Sequence, residues 1–410
     1  MSTHLLRAAA LAAALLPCLV EATPLSFETA LETAVQRSEA ARAGRAGVEG
    51  AVEASRAAGQ LPDPTLNVGV DNLPVTGPDR LSTTRDSMTM KRIGFTQEWV
   101  SRDKRAARRD AAEALVNRQD VMVKAAMAEA RLQTALAYLD AFYAGEVLKL
   151  TTLMEHHAHE ELEAARGRLS SSNASAQEVL ALTGARGAAE DESAEVRQQQ
   201  SASVVQLERW VGSRADELTA PGEAPVPTEQ GYVAAHPTVV ALQRDVDVAR
   251  QEAAVTATNR NPNWTWGVSY GQRTGYSDML TFGVSIPIPL LPSERQDRDT
   301  AAKLALVGKV EADLAEATRA AAGEYRALTS DAGRLRDRIE RYRAGVVTLA
   351  AQRTSVARAS YASNQTSLVT LFEARHAEVE VQRKLLTLQR DLAKAKAQLT
   401  YKPLALGASQ

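Results

Sequence analysis

Three histidines and two glutamates crowd together in "HHAHEE": His156, His157, His159, Glu160 and Glu161. On a helix, His156 and Glu160 would share a face, as would His157 and Glu161. Imidazole and carboxylate four residues apart could together capture Zn or Cu weakly. A polar, solvated helix face explains the same residues. The metal candidates are therefore His156, His157, His159 and Glu160, with Glu161 beside them and His376 farther along the chain. Met88 and Met90 could meet Cu(I), although thioethers in a strand more often pack or face an apolar medium. "HEELE" from His159 lacks the second histidine of a zinc-protease helix. There is no nucleophile-base constellation, no phosphate-binding glycine loop and no Cys/His finger, so neither enzyme activity nor a cofactor is expected.

The chain that must position these residues has 410 of them, 45% hydrophobic but only 4% aromatic. That composition suits long packed helices better than a large aromatic core. With 48 basic and 50 acidic residues interspersed, no global field would attract nucleic acid. Arg7, the apolar run "AAALAAALLPCLV" and small residues around Ala22 read as a secretory signal over 1–22. Cys18, the only cysteine, falls inside it. "LLPC" resembles a lipoprotein box, but Pro17 occupies a position where such boxes want a small residue. Beyond the signal there is no uninterrupted apolar run of about 18 residues, so no transmembrane helix is expected.

The sequence is duplicated. "PTLNVGV" from Pro64 aligns with "PNWTWGV" from Pro262, "RIGFT" near Gly94 with "TFGVS" near Gly283, and "SSNAS" from Ser171 with "ASNQTS" from Ala362. The separations of about 190 to 200 residues are too long for a solenoid repeat. Each copy reads as helix, hairpin, very long helix, turn and long return helix. The first repeat spans 23–217, with a hairpin at 64–97, a long helix at 103–169 and a return helix at 176–213. A Pro-rich linker, 218–232, follows. The second repeat spans 233–401, with a hairpin at 262–287, a long helix at 293–361 and a return helix at 366–400, before a tail at 402–410.

Heptads support the long helices. Leu115, Met122, Leu136, Tyr143 and Leu150 share one register, broken at Glu129; Ala125, Leu132, Leu139 and Leu153 form a companion seam, broken at Glu146. In the second copy Val307, Leu314, Ala321, Leu328, Leu335, Tyr342, Leu349 and Val356 keep the register without interruption. Helices of about 60 residues would be roughly 100 Å long.

The strands alternate bulky apolar with small polar residues. Trp264, Trp266, Val268 and Tyr270 oppose Asn263, Thr265, Gly267 and Ser269; Leu280, Phe282, Val284 and Ile286 oppose Thr281, Gly283 and Ser285. This is the pattern of a membrane β-barrel, and equally of a hairpin half buried on a soluble domain. Met88 and Met90 break parity with Ile93 and Phe95, which predicts a bulge near Lys91 or a change of environment there. Four strands of about ten residues cannot close a barrel, and open edges do not survive in hydrocarbon. If the strands meet lipid, several chains must share one barrel.

The duplicated order of elements, with "LPDPTLNVGVDNLP", "MTMKRIGFTQEWVSRDKR" and "YASNQTSLVTLFEAR", resembles the TolC family of outer-membrane efflux proteins over nearly the whole mature chain, and most of all its heavy-metal branch. The resemblance implies a mainly α fold with a small β part, assembled as a homotrimer: an α-barrel tunnel beneath a shared 12-stranded transmembrane barrel. It also implies a location in the outer membrane of a Gram-negative bacterium, among outer-membrane lipid, with the tunnel reaching into the periplasm. The implied function is passive conduction of substrate, heavy-metal cations in that branch, as part of a tripartite pump with a periplasmic adaptor and an inner-membrane transporter of the RND type.

Carried over by position, adaptor-docking turns fall at 169–177 and 361–368, with Ser172, Asn173, Ser175, Asn364, Thr366 and Ser367. Asn173 and Asn364 stand where the family commonly has Gly, and Asn tolerates the left-handed conformation that such a turn requires. Glu373, with Thr370, stands where acidic residues of the family ring the closed aperture. The alternatives are a channel for drug efflux or type I secretion and, from another class, a soluble periplasmic coiled-coil adaptor. An adaptor would bury its hairpins; a channel would leave Trp264, Trp266, Phe282 and Ile286 exposed.

Overall fold

Long stretches free of proline and rich in Ala, Leu, Glu and Arg favour helix at nearly every position. In the computed structural model, which describes residues 24–171, 175–215, 217–222 and 225–405, they form helices of corresponding length. The expected signal at 1–22 with Cys18, the turn residues Ser172 and Asn173, and the tail from 406 lie outside the described residues.

The elements run α1 (Phe27–Arg37), α2 (Glu39–Ala58), β1 (Thr65–Asp71), β2 (Met90–Trp99), α3 (Arg102–Ser170), α4 (Ala176–Val211), α5 (Glu229–Ala234), α6 (Pro237–Ala257), β3 (Trp264–Gln272), β4 (Met279–Ser285), α7 (Gln296–Tyr342), α8 (Thr348–Ala362) and α9 (Leu368–Tyr401). A π-helical turn, Arg343–Val347, joins α7 to α8. No described helix is long and apolar enough to cross a membrane.

The chain packs as two compact units, and neither of them is a sequence repeat. One takes the residues through Arg37, Ala130–Val226 and Leu328–Tyr401; the other takes Ser38–Glu129, Pro227–Ala327 and the residues from Lys402. Each repeat is split between them because its long helix supplies residues to both.

The unit with the sheet is built on small residues. Val121, Ala128, Val240 and Leu404 form its helical core. A Cβ added to Gly44 of α2 would lie 2.9 Å from Val123 Cγ2, so glycine permits the close approach of α2 to α3. Leu115 and Met122, expected on the buried seam, are exposed, and the buried stripe consists instead of Ala114, Val121, Val123 and Ala128. The smaller side chains let the helices approach more closely.

The helical unit has two clusters. Around Tyr138 gather Phe27, Leu139, Leu207 and Val211; around Leu162 gather Met154, Leu182, Leu368, Leu371 and Phe372. The Tyr138 hydroxyl lies 2.7 Å from the Leu25 carbonyl oxygen and 2.8 Å from that of Thr219, tying two non-helical segments to α3. α4 ends at Gly212 with φ +84, and the Arg37 guanidinium occupies the space a Cβ would need.

The π turn alters the second long helix. Val307 and Ala321 of the heptad are buried, and Leu314, Leu328, Leu335 and Tyr342 half-buried. After the turn, Leu349 is 61% and Val356 65% exposed, and Thr354 and Ala357 are buried in their place. A π turn inserts an extra residue into the helical repeat, which rotates every later position away from the seam.

Candidate functional site

The four strands form one antiparallel sheet in the order β1-β2-β3-β4, so the hairpins of the two repeats pair through β2 and β3. The register Leu66↔Phe95↔Val268↔Phe282 and Val68↔Ile93↔Tyr270↔Leu280 aligns bulky apolar residues across the sheet on one face. That face is uncovered: Val68 and Phe282 are each 75% exposed, and Ile93, Phe95, Leu280, Val284 and Ile286 are exposed with them. Contiguous apolar exposure of this extent is abnormal for a surface in water.

The opposite face carries Asn67, Gly94, Thr96, Thr265, Gly267, Ser269, Thr281, Gly283 and Ser285. An added Cβ on Gly94 would lie 2.6 Å from Ser269 Cβ, and one on Gly267 would lie 2.8 Å from Thr96 Cγ2. Small residues here let the strands crowd on the polar side. β1 and β4 each pair on one side only. The expected bulge near Lys91 is absent. The β1–β2 register is continuous to Asp71↔Met90, so Met90 shares the polar face with Arg92 and Gly94, while Met88 precedes the strand.

At the far ends of the long helices, the described turn residues act as caps. Ser175 accepts from the Glu178 backbone N–H through its Oγ at 3.1 Å, and Ser367 accepts from the Thr370 N–H at 3.3 Å. Asn364 adopts φ +56, the left-handed conformation its side chain tolerates. Thr366 Oγ1 is buried without a hydrogen-bond partner. Glu178 Oε1 accepts from the Leu368 N–H at 3.1 Å, so a first-repeat carboxylate caps α9 of the second. Glu373 and Thr370 are exposed.

The histidine cluster divides. His156 Nε2 lies 3.3 Å from Glu160 Oε1, and His157 Nδ1 lies 3.4 Å from Glu160 Oε2. Both imidazoles thus converge on Glu160; His159 is exposed and makes no ion pair among the described residues. Glu161 does not join His157. It turns inward, 4% exposed, and accepts from Arg375 Nη1 at 2.6 Å. His376 stacks on Phe372 and points Nδ1 toward Glu192 on α4, 4.0 Å away, so it too lies apart from the cluster. Among the described residues no three of His, Cys, Asp and Glu are grouped to hold a metal ion.

No protein-family model matches the sequence, and no curated protein matches it. Solved structures do. The outer membrane protein VceC of Vibrio cholerae superposes with a TM-score of 0.73, covering 92% of this chain and 95% of its own at 16% identity. The Campylobacter jejuni CmeC outer membrane channel gives 0.75 over 92% and 85% at 11% identity. CusC, described for its folding and transmembrane channel formation, gives 0.74 over 92% and 91% at 14% identity. The chain has the fold of these outer-membrane channels. At such identity the likeness establishes the fold and does not assign a substrate.

Within this channel fold, the polar contacts missed by sequence reasoning are those between repeats. Glu161 of α3 meets Arg375 of α9, Glu192 of α4 meets Arg383 of α9, and Asp140 of α3 meets Lys394 of α9 at 2.7 Å. In each pair the first repeat supplies the acid and the return helix of the second supplies the cation. Burial pushes the Glu161 carboxyl up to about 7, although Arg375 opposes the shift. The partners lie in different repeats, far apart in sequence, and nothing in either local pattern marks them as a pair.

Proposed function

We propose that the chain is the outer-membrane channel of a tripartite efflux pump, working as a homotrimer in a Gram-negative bacterium. The observation that carries this reading is the uncovered apolar face of a four-stranded sheet whose two edges are unpaired. In hydrocarbon an open edge leaves backbone donors and acceptors without partners, at several kcal/mol each. Three copies placing β4 of one beside β1 of the next would satisfy every edge and close twelve strands, with the apolar face toward lipid and the Gly/Ser/Thr face toward a wet lumen. A soluble adaptor would need to cover this face, and the described residues do not.

Conduction is passive in this reading. The long helices wall a tunnel, the turns containing Ser172, Asn173, Ser175, Asn364, Thr366 and Ser367 receive a periplasmic adaptor, and Glu373 with Thr370 surrounds the aperture. Three exposed carboxylates around a threefold axis would favour cations. An inner-membrane transporter, of the RND type, supplies the energy. The substrate we assign is heavy-metal cations, on the resemblance to the heavy-metal branch; His156 and His157 each approach Glu160 but form no three-ligand metal group among the described residues. Capture there would be weak, since two or three ligands on one exposed helix leave most of a metal's coordination to water.

Fractionation tests the channel reading. The mature protein should resist osmotic shock and require detergent for release, as a trimer in light scattering; release by shock alone would sink it. Deletion of the chromosomal copy tests the substrate. Sensitivity to Cu, Ag, Zn, Co or Cd salts is expected, and sensitivity confined to lipophilic drugs would reject the metal assignment.

A further inference from the structure

We propose that the helix-side rim of the sheet is a docking surface for the phosphate headgroups of anionic phospholipids, formed by Arg102, Arg105 and Arg109 at the start of α3 beside the indoles of Trp99, Trp264 and Trp266. The inference rests on the channel reading and goes beyond it by naming which lipid the rim selects.

The indoles fix the depth of the rim. Trp99 closes β2 opposite Trp264, with ring centroids 5.9 Å apart, and Trp266 follows one pleat along the same face. All three are exposed among the apolar residues of that face. Amphipathic indoles at the end of an apolar strand face settle at headgroup level, where the ring body is in hydrocarbon and the N–H is wet.

Three residues after Trp99 the charge changes abruptly. Between 102 and 110 the sequence "RDKRAARRD" holds five cations and two carboxylates. This is the wrong end of a helix for cations, because the aligned peptide dipoles already place positive potential there. Local acids do not compensate: among the described residues Arg102, Arg105, Arg108 and Arg109 form no ion pair, and Arg105 Nε is buried without a partner. Lys104, only 4% exposed, donates to neutral oxygens, the Asn261 carbonyl at 3.2 Å and Asn263 Oδ1 at 3.0 Å. Burial and the neighbouring Arg108 push its pKa down, and Glu98, held by Asn263 at 2.6 Å, opposes them, so one carboxylate faces five cations here from β2.

The corresponding end of α7 is different. There Glu294, Asp297 and Asp299 outnumber Arg295 and Arg298. Of the two long helices, α3 rather than α7 therefore carries the surplus, at the level where the indoles would meet headgroup phosphates. Each cation near an anionic surface strengthens association about fivefold, and the effect is screened by salt.

The full chain is reconstituted in vesicles of phosphatidylcholine, alone or mixed with phosphatidylglycerol, and the lipids it retains after mild detergent extraction are counted by native mass spectrometry. The wild-type protein should retain phosphatidylglycerol in preference to phosphatidylcholine, less so at high salt. The triple variant Arg102→Gln, Arg105→Gln, Arg109→Gln should lose the preference by about fivefold per cation. The same three positions changed to Lys should keep it, which separates charge from folding. The pair Arg295→Gln, Arg298→Gln should leave it unchanged. Equal retention of the two lipids by the wild type, or an equal loss from the α7 pair, overturns the inference alone. A chain that enters neither vesicle overturns the channel reading and this inference with it.

Discussion

Glu161 on α3 and Arg375 on α9 meet at 2.6 Å with side chains only 5% and 17% exposed, joining the two sequence repeats through a nearly dry ion pair. Glu161 Oε2 and Arg375 Nε have no hydrogen-bond partner, so the pair is incompletely satisfied. Such pairs are weak sources of stability when intact and costly to break by removing one partner, at roughly 3–5 kcal/mol. Arg375→Ala should therefore destabilise the helical unit by about that amount, read by chemical denaturation of the detergent-solubilised protein.

The same pair carries a pH dependence. The Glu161 carboxyl titrates at about 7 in the folded chain against 4.5 for an unperturbed glutamate, so the folded state holds its proton more tightly than the unfolded state. Stability should rise as pH falls from above 7 toward 4.5, by on the order of 3 kcal/mol from this group, and the burial cost should return in full above pH 7. Glu161→Gln removes the titration, and its stability should be flatter over that window. An equally steep profile in the variant would assign the dependence to other groups.

On the sheet, a charge should be tolerated or rejected by parity. Phe282→Lys places an ammonium on the apolar face and should cost about 2–4 kcal/mol of insertion free energy if that face meets lipid midplane. Thr281→Lys, one residue away on the polar face, should assemble. The readout is the fraction of heat-resistant trimer in outer-membrane extracts, and equal assembly of both variants would contradict a lipid-facing sheet.

At the second turn, Asn364 carries a steric penalty that glycine would not. Asn364→Ala should destabilise by up to about 1 kcal/mol, since alanine keeps the Cβ but loses the amide that lets asparagine tolerate φ +56, and Asn364→Gly should be near neutral. Thermal unfolding of the three proteins checks the order. Adaptor binding by Asn364→Gly, whose turn keeps its shape, isolates the contribution of the amide side chain.

For the histidines, geometry sharpens the expectation. His156 and His157 converge on Glu160 whereas His159 does not, so His156→Gln with His157→Gln should reduce metal tolerance as much as replacing all three. Binding of Zn to the purified trimer should weaken in acid, because protons compete with the metal for the imidazole nitrogens. Unchanged tolerance at equal expression would leave these residues as a solvated helix face.

Local regularities were legible from the sequence alone. Period-two alternation marked the strands and the apolar face of the sheet, because a strand exposes its side chains strictly by parity. A proline-free heptad run underlies α3, which spans Arg102–Ser170, and a Ser/Asn cluster holds the asparagine that takes the left-handed conformation. What the sequence by itself determined, then, was the identity and order of the elements, a duplicated unit with one apolar sheet face. The tertiary structure alone decided which residues of those elements are inside. A π turn has no composition of its own, yet it rotated Leu349 and Val356 out of the seam they continue in sequence. Small residues, invisible to a search for bulky apolar positions, set the buried stripe of α3 from Ala114 to Ala128, whereas farther along the expected seam residues Leu132 and Leu139 are buried. Spacing grouped Glu161 with His157, whereas packing paired it with Arg375, because burial in a bundle depends on which neighbouring helix arrives at that face and no single helix encodes its neighbour.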